Sequence, residues 1–310
     1  MKEFIINKND AGQRLDKFIE KATAGMPKSL IYKSIRTKKI KVNRKRAEAN
    51  YVLVQGDVVL MFLKDEFFAS ADPDAYFLTL TPKIDIVHED DDLLLVNKPM
   101  GVSCIPDERE DRDTLINHIK AYLYRKGEYD PDSESSFSPA LCNRIDRNTC
   151  GIVIAAKNAD TLRKINDDIK YRRIDKKYLC IVHGTPKPQR DIIEGYLIKD
   201  SKTNTVKVYD HKPSKGNAKS IKTGYRVLGS KKGLSLVEVE LYTGRTHQIR
   251  AHMAHIGHPL LGDGKYCVNK EDKKLGYKHQ ALCSYSTTID GREYRIDPED
   301  IWFVQDYNKL

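Results

Sequence analysis

Residues 143–157 read Asn143-Arg144-Ile145-Asp146-Arg147-Asn148-Thr149-Cys150-Gly151-Ile152-Val153-Ile154-Ala155-Ala156-Lys157. The apolar run after Gly151, rich in β-branched residues, reads as a buried strand. Just before it, a tight polar turn carries Asp146 between Arg144 and Arg147. Guanidinium groups favour the charged form of a neighbouring carboxylate. Such a group at the lip of a buried strand suits nucleophilic or acid–base chemistry on a polyanion. Taken alone, an Asp that caps local backbone groups accounts for the same turn more simply.

Outward from this stretch the pattern continues to favour strands. Residues 84–87 and 93–96 read as strands, separated by a turn at Glu89-Asp90-Asp91-Asp92 and followed by the sharp turn Asn97-Lys98-Pro99-Met100-Gly101. Four consecutive acids rarely converge on one cation, so this run reads as a turn and not a metal site. Helices are expected over 114–124 and 158–170, the second with Leu162, Ile165 and Ile169 inward. Residues 126–138 are polar and loop-like. Strands are expected over 177–182, 206–209, 222–228 and 234–242. Short turns between many strands predict an antiparallel or mixed sheet with helices packed on it.

The chain has 310 residues, 40% of them hydrophobic, which is enough for two domains and a substantial core in the larger. It has no apolar run of bilayer-spanning length and no secretory signature at Met1-Lys2-Glu3-Phe4. Its six cysteines are scattered without a Cys-x-x-Cys pair, which predicts reduced thiols in a cytoplasmic protein. The absence of heptads or an obvious apolar edge predicts a monomer that does not engage a membrane.

The net charge of +10 is concentrated. Between Arg14 and Arg46 lie twelve Lys or Arg against Asp16 and Glu20, so this window carries the whole net charge. A basic surface so localised marks a polyanion binder. Leu15, Phe18, Ile19 and Ala22 fall at helical spacing. After Gly25-Met26-Pro27, with Ser29 as a candidate cap, Leu30, Ile31 and Ile35 form a second stripe, and Lys33, Arg36, Lys38 and Lys39 lie off it. A short strand at 40–42 turns at Asn43 and Arg44, and another covers 58–62. Residues 64–83 read as a linker with anchoring aromatics, Phe67 and Phe68 among them.

A second dense motif runs Thr243-Gly244-Arg245-Thr246-His247-Gln248-Ile249-Arg250-Ala251-His252-Met253, continuing through His255, His258 and Leu261-Gly262-Asp263. Read as a helix, it turns Ile249, Met253 and Ile256 inward and gathers Arg245, His247 and Arg250 near its start. The histidine spacings lack the i, i+4 pair of a zinc helix, so hydrogen-bonding or buried histidines are expected, and no metal. Gly262-x-Gly264 lacks the Lys-Ser/Thr of a phosphate loop. Ser103 and Cys104 have no evident partner base. A third motif, Lys176-Lys177-Tyr178, opens a strand and by itself is unremarkable.

Taken in order, Asn97-Lys98-Pro99-Met100-Gly101, Arg144-Ile145-Asp146-Arg147, Lys177-Tyr178 and Gly244-Arg245-Thr246-His247-Gln248-Ile249-Arg250 resemble the RluA family of RNA pseudouridine synthases. The resemblance covers about residues 84–285. Family members commonly have His where Asn143 stands and Ser where Cys150 stands, which puts in question how the turn is braced. The Arg14-Leu15-Asp16-Lys17-Phe18 start and the order of elements resemble the RNA-binding module first named for ribosomal protein S-four. The implied fold is α+β: a small N-terminal ααβ module over residues 1–63, a linker over 64–83, and a mixed, mainly antiparallel sheet with flanking helices over 84–310, the pseudouridine synthase fold.

The resemblance implies isomerisation of uridine in RNA to its carbon-linked isomer, with no metal, redox or nucleotide cofactor. Asp146 would act on the ribose, either by adding to C1′ or by drawing a proton to give a glycal, and both routes stay open. Arg250 matches the residue that pairs with this Asp, and Tyr178 the residue that stacks on the target base. Arg14, Lys33, Arg36, Lys38, Lys39, Arg44, Arg144, Arg147, Arg245 and His247 are the expected RNA contacts. Ribosomal and transfer RNA are both substrates within the family, and a front RNA-binding module favours large-subunit ribosomal RNA. The competing readings are an RNA-binding protein that has lost catalysis and a zinc hydrolase or deaminase built on the histidines.

Overall fold

The computed structural model describes residues 1–68, 73–106, 112–200, 202–214 and 216–310. The N-terminal part contains β1 (Lys2–Ile5), α1 (Leu15–Ala22), α2 (Lys28–Arg36), β2 (Ile40–Val42) and β3 (Val58–Met61), with strand order β1-β3-β2, all antiparallel. The helical spacing does place Leu15, Phe18 and Ile19 of α1 and Ile31 and Ile35 of α2 in one core with Ile40, Val42, Val59 and Met61. Two details differ from expectation. α2 starts at Lys28 behind Pro27, whose fixed φ suits a helix entry, so Ser29 lies inside the helix and caps nothing. β1, carried by Lys2–Ile5, was not anticipated.

The expected linker is tied down at both ends. Phe67 and Phe68 pack on the N-terminal core, and Phe77, fully buried, packs with Leu94, Val96 and Tyr129 of the next core. Residues 69–72 of that segment lie outside the described residues.

The second part contains β4 (Ile86–Glu89), β5 (Leu93–Lys98), α3 (Leu115–Lys126), β6 (Ala140–Leu141), β7 (Cys150–Ala156), α4 (Ala159–Lys170), β8 (Asp175–His183), β9 (Arg190–Asp200), β10 (Thr205–Tyr209), β11 (Lys219–Lys231), β12 (Leu234–Leu241), α5 (Gln248–His255), α6 (Lys270–Lys274), β13 (Leu282–Ile289), β14 (Arg292–Arg295) and α7 (Trp302–Asn308). The strands form one 11-stranded sheet ordered β10-β9-β11-β12-β8-β13-β7-β5-β4, with β14 beside β13 and β6 beside β7. Neighbours are antiparallel except β7 and β13, which run parallel through Cys150 opposite Cys283 and Gly151 opposite Ser284. The sheet is therefore mixed and mainly antiparallel.

The fully buried run of β7 sits mid-sheet between β5 and β13, which is why it shows no polar alternation. β12 alternates because Val237 and Val239 face α5 across a core with Tyr178, Cys180, Ile249 and Met253. On the opposite face Leu179 and Ile181 pack against Phe303, Val304 and Tyr307 of α7. At the start of α4 the Asn158 side chain accepts from the Thr161 backbone N–H, an N-cap.

The polar stretch 126–138 has a structural task. Glu134 accepts from Asn9 at 2.7 Å, and Ser136 accepts from Gln13 at 2.7 Å and donates to Asp10 at 2.5 Å. The Ala159 N–H donates to Asn9, so the loop between β1 and α1 docks on the flank of the 11-stranded sheet through named polar pairs.

Candidate active site

The turn carrying Asp146 is shaped from several sides. Gly151 enters β7 at φ +112, and a Cβ there would lie 2.3 Å from the Ser284 carbonyl oxygen of β13. Only glycine permits both the dihedral and that approach, which lets the two strands run parallel directly behind the turn. Asn143 accepts the Ile154 N–H at 2.7 Å, so an amide braces this side of the turn. Cys150 donates weakly to the Leu282 carbonyl at 3.6 Å, and Cys104 to the Ile145 carbonyl at 3.4 Å.

The main support is Lys98, whose side chain is buried at the end of β5. Its Nζ donates to the carbonyls of Pro99 (2.8 Å), Val102 (2.8 Å) and Arg147 (2.9 Å). Gly101 N–H donates to the same Arg147 carbonyl at 2.9 Å. The Asn97-Lys98-Pro99-Met100-Gly101 turn thus grips the residue next to Asp146. Burial pushes the Lys98 amine down to about 8, and the nearby Cys104, Cys150 and Asp146 oppose that shift. Below that pH the ammonium has a proton for each carbonyl, and above it one carbonyl loses its donor.

Two outcomes follow for Lys98. In Lys98→Met, orphaned buried carbonyls should cost about 3 kcal/mol, read by urea denaturation, and turnover should fall with the turn's loss of register. In the native chain kcat should decline as pH rises through about 8. The unfolded chain keeps this proton to about 10.5, so between these values the native state is the one that has released it. Folding therefore gains stability from this group across the same window in which turnover is lost. Profiles of Tm and kcat against pH that moved together would contradict this assignment.

Asp146 is partly open, its side chain 28% exposed. Its Oδ2 accepts from Arg250 Nη1 at 2.8 Å, across 104 residues of chain. Arg250 sits in the first turn of α5, nearly covered. The same guanidinium makes a two-pronged pair with Asp263, Nε to Oδ2 at 2.7 Å and Nη2 to Oδ1 at 2.8 Å. Burial works against its charge, and Asp263 and then Asp146 outweigh it, holding the guanidinium above its ordinary range. Its planar fork can serve two carboxylates at once, which a Lys ammonium cannot do with this geometry.

Tyr178 lies on β8 between Val239 and Ser284. It is only 6% exposed and packs with Ile145, the neighbour of Asp146. Burial pushes its phenol up to about 12, with the Ser284 hydroxyl pulling the other way and the Asp146 charge adding to the rise. At neutral pH the phenol is therefore protonated.

The other expected contacts divide. Lys33, Arg36, Lys38, Lys39 and Arg44 are exposed along α2, the turn between α2 and β2 and the turn that follows β2, and Arg144 and Arg245 are exposed beside Asp146 and ahead of α5. Arg14 is already engaged, with Nε and Nη2 on the two oxygens of Asp16 at 3.0 and 2.9 Å. Asp16 itself is buried, with Arg14 and Tyr32 on its carboxylate. Arg147 is half-buried and takes part in the turn through its carbonyl. His247 departs most from expectation. Its side chain is 8% exposed, bonded to Tyr266, with Nε2 3.8 Å from Asp146 Oδ2, so it faces the carboxylate and not open phosphates.

The histidines after it each face a different partner: His252 meets Thr223, His255 meets Asp210 and His258 meets the His183 carbonyl. Asp263 and Tyr266 were not singled out from sequence. The available signal was an acid one glycine beyond the buried pair Leu260-Leu261, where a carboxylate needs a cation.

Over residues 92–255 the chain matches the family model described as RNA pseudouridylate synthase. An uncharacterised RNA pseudouridine synthase of Mycoplasma genitalium is 32% identical over 91% of this chain and 87% of its own length. Ribosomal large subunit pseudouridine synthase C of Vibrio vulnificus is 31% identical over 84% of this chain and 78% of its own. Among solved structures, human RNA pseudouridylate synthase domain containing 4 superposes with a TM-score of 0.55 at 22% identity, covering 69% of this chain and 88% of that one, a likeness of fold. An Asp–Arg pair at the mouth of a mixed sheet agrees with these matches, and the chain belongs to the RluA family of RNA pseudouridine synthases.

Proposed function

We propose that this enzyme converts uridines of large-subunit ribosomal RNA to pseudouridine, with Asp146 acting on the ribose, Arg250 orienting its carboxylate and Tyr178 against the target base. The observation that carries the catalytic assignment is the 2.8 Å contact between Asp146 Oδ2 and Arg250 Nη1. A partly open carboxylate on a covered guanidinium is oriented and reachable. The leaning to ribosomal RNA rests on relatives named as ribosomal large subunit pseudouridine synthase C and on the basic N-terminal module, read as S-four-like. The scattered, unpaired thiols support a reducing, cytoplasmic setting, and we read the working unit as a monomer. The test is pseudouridine mapping on large-subunit ribosomal RNA from cells with and without the gene. Loss of specific sites, restored by the purified protein on unmodified RNA, is the expected result. Sites lost only from transfer RNA would move the target.

The division of labour within the site is separable. Tyr178→Phe keeps a ring for the base, since stacking alone is worth roughly 1–3 kcal/mol per base. It removes the proton-bearing oxygen. RNA affinity should hold while turnover falls by about a hundredfold or more if the hydroxyl moves a proton at carbon 5 of the base. Unchanged turnover would confine Tyr178 to stacking. Reversing charge at Lys33, Arg36, Lys38 and Lys39 should weaken RNA binding with little regard to sequence. It should also flatten the salt dependence, by about one unit of log–log slope for each phosphate left without its cation. A binding curve insensitive to salt in the native chain would remove the module's assigned role.

A further inference from the structure

Hydrogen-bond accounting around His247 fixes a proton that the site would otherwise leave undefined. The Val206 backbone N–H donates to the Tyr266 hydroxyl oxygen at 3.0 Å. That oxygen carries one proton, and His247 Nδ1 lies 2.8 Å from it. Burial pushes the Tyr266 phenol up to about 12, so it keeps the proton and donates it to Nδ1. Burial also pushes His247 down to about 4, with Asp146 opposing and Arg250 and Lys265 reinforcing, so the imidazole is neutral. A neutral imidazole that accepts at Nδ1 carries its hydrogen on Nε2.

That Nε2–H lies 3.8 Å from Asp146 Oδ2, the same oxygen that takes Arg250 Nη1. Among the described residues no side chain or backbone N–H donates to Oδ1. The backbone of His247 is held at φ +52, a left-handed conformation that a side-chain-bearing residue adopts reluctantly. Tyr266 is the shared post: its ring lies 5.4 Å under the Arg250 guanidinium and meets the His247 ring edge-on at 5.8 Å.

We propose that His247 is a positioning residue for Asp146. Locked by Tyr266 with its hydrogen on Nε2, it shares Oδ2 with Arg250 and leaves Oδ1 as the oxygen that meets the ribose. At 3.8 Å the contact is too long for a hydrogen bond, and it closes when the carboxylate turns to the substrate, as contacts of this kind tighten on substrate binding. This inference rests on the catalytic reading of Asp146.

The test uses the full chain and its Asp146→Asn, His247→Gln, His247→Phe and Tyr266→Phe variants. Nitrogen-15 NMR, with the His247 signals assigned by their disappearance in His247→Gln, reads the tautomer without RNA. Single-turnover conversion and Kd on a large-subunit ribosomal RNA transcript read the consequence. The native chain should show the Nε2–H form, untitrated from pH 5.5 to 8 although Asp146, Asp263, Arg250 and Lys265 surround it. In Tyr266→Phe the Nδ1–H form should appear. His247→Phe and Tyr266→Phe should slow conversion about tenfold, one hydrogen bond's worth, with Kd unchanged. His247→Gln, which keeps a donor near the Nε2 place, should fall between. An Nδ1–H native tautomer overturns the proposal. So do native conversion rates with a raised Kd, which would make His247 an RNA contact. Either result beside an inactive Asp146→Asn fells this inference alone, whereas an active Asp146→Asn fells the reading beneath it.

Discussion

Replacing Asp146 with Asn is expected to remove at least about 10⁴-fold of single-turnover activity while leaving RNA binding and folding nearly intact. The magnitude is that of removing the central group of a catalytic constellation. The stability claim comes from the geometry. Losing the Asp146 charge strips Arg250 of one partner at 2.8 Å, but the guanidinium keeps both bonds to Asp263 at 2.7 and 2.8 Å. The buried cation therefore stays paired, and the amide oxygen of Asn can still accept from Nη1. The turn does not depend on the carboxylate either, since Lys98 and Gly101 hold it through the Arg147 carbonyl and Asn143 through Ile154. A Tm within about 2 °C of the native value, beside the lost activity, is the signature of a group used for chemistry. An Asn variant that still converted uridine would require another group to act on the ribose.

What could be read from the chain, and what could not, follows from where each signal resides. The run after Gly151 identifies a central strand because burial on both faces removes every polar residue. Asp146 and Arg250 were legible as partners only through the resemblance, since no local pattern links residues 104 apart. β9 was left unassigned because Glu194 and Gly195 interrupt the apolar residues of Arg190–Asp200, although residues 190–197 pair with β11. β13 was missed because its buried residues include Ser284, Ser286 and Thr287, polar in sequence yet interior in the sheet. Tertiary pairing overrode composition in both strands. The charge window located the basic module but not its internal ion pairs, so Arg14 counted as a free cation until Asp16 was seen beneath it. His247 was grouped with the arginines because position in a motif says nothing of burial. The electrostatic centre proved to be a triad and not a pair, because the acid of Gly262-Asp263 folds back onto α5.

That triad yields the largest expected effect on stability. Arg250→Ala should destabilise the chain by about 3–5 kcal/mol, the range for breaking a buried charge pair from one side. The cost arises chiefly at Asp263, whose side chain has no exposure and would keep, among the described residues, only the Lys265 N–H at 3.0 Å as a donor. Asp146, being partly open, can recover water and contributes less. For a domain of this size the shift corresponds to a Tm lower by roughly 10 °C. Activity should fall by about 10³-fold or more, because the carboxylate loses the donor that orients Oδ2. Arg250→Lys should fail nearly as badly, since one ammonium cannot reproduce the two-pronged contact with Asp263 and reach Asp146 as well. The decisive comparison is the double variant Arg250→Ala/Asp263→Asn. Neutralising Asp263 after the guanidinium is gone removes the uncompensated charge. The double variant should therefore be more stable than Arg250→Ala by about 1 kcal/mol or more, on the order of a mutational coupling between contacting residues, while remaining inactive. Simple additivity of the two losses would mean that Asp263 does not anchor Arg250 in solution. Recovery of stability without activity would separate the two tasks of this arginine, holding α5 to the Gly262 turn and presenting Asp146 to RNA.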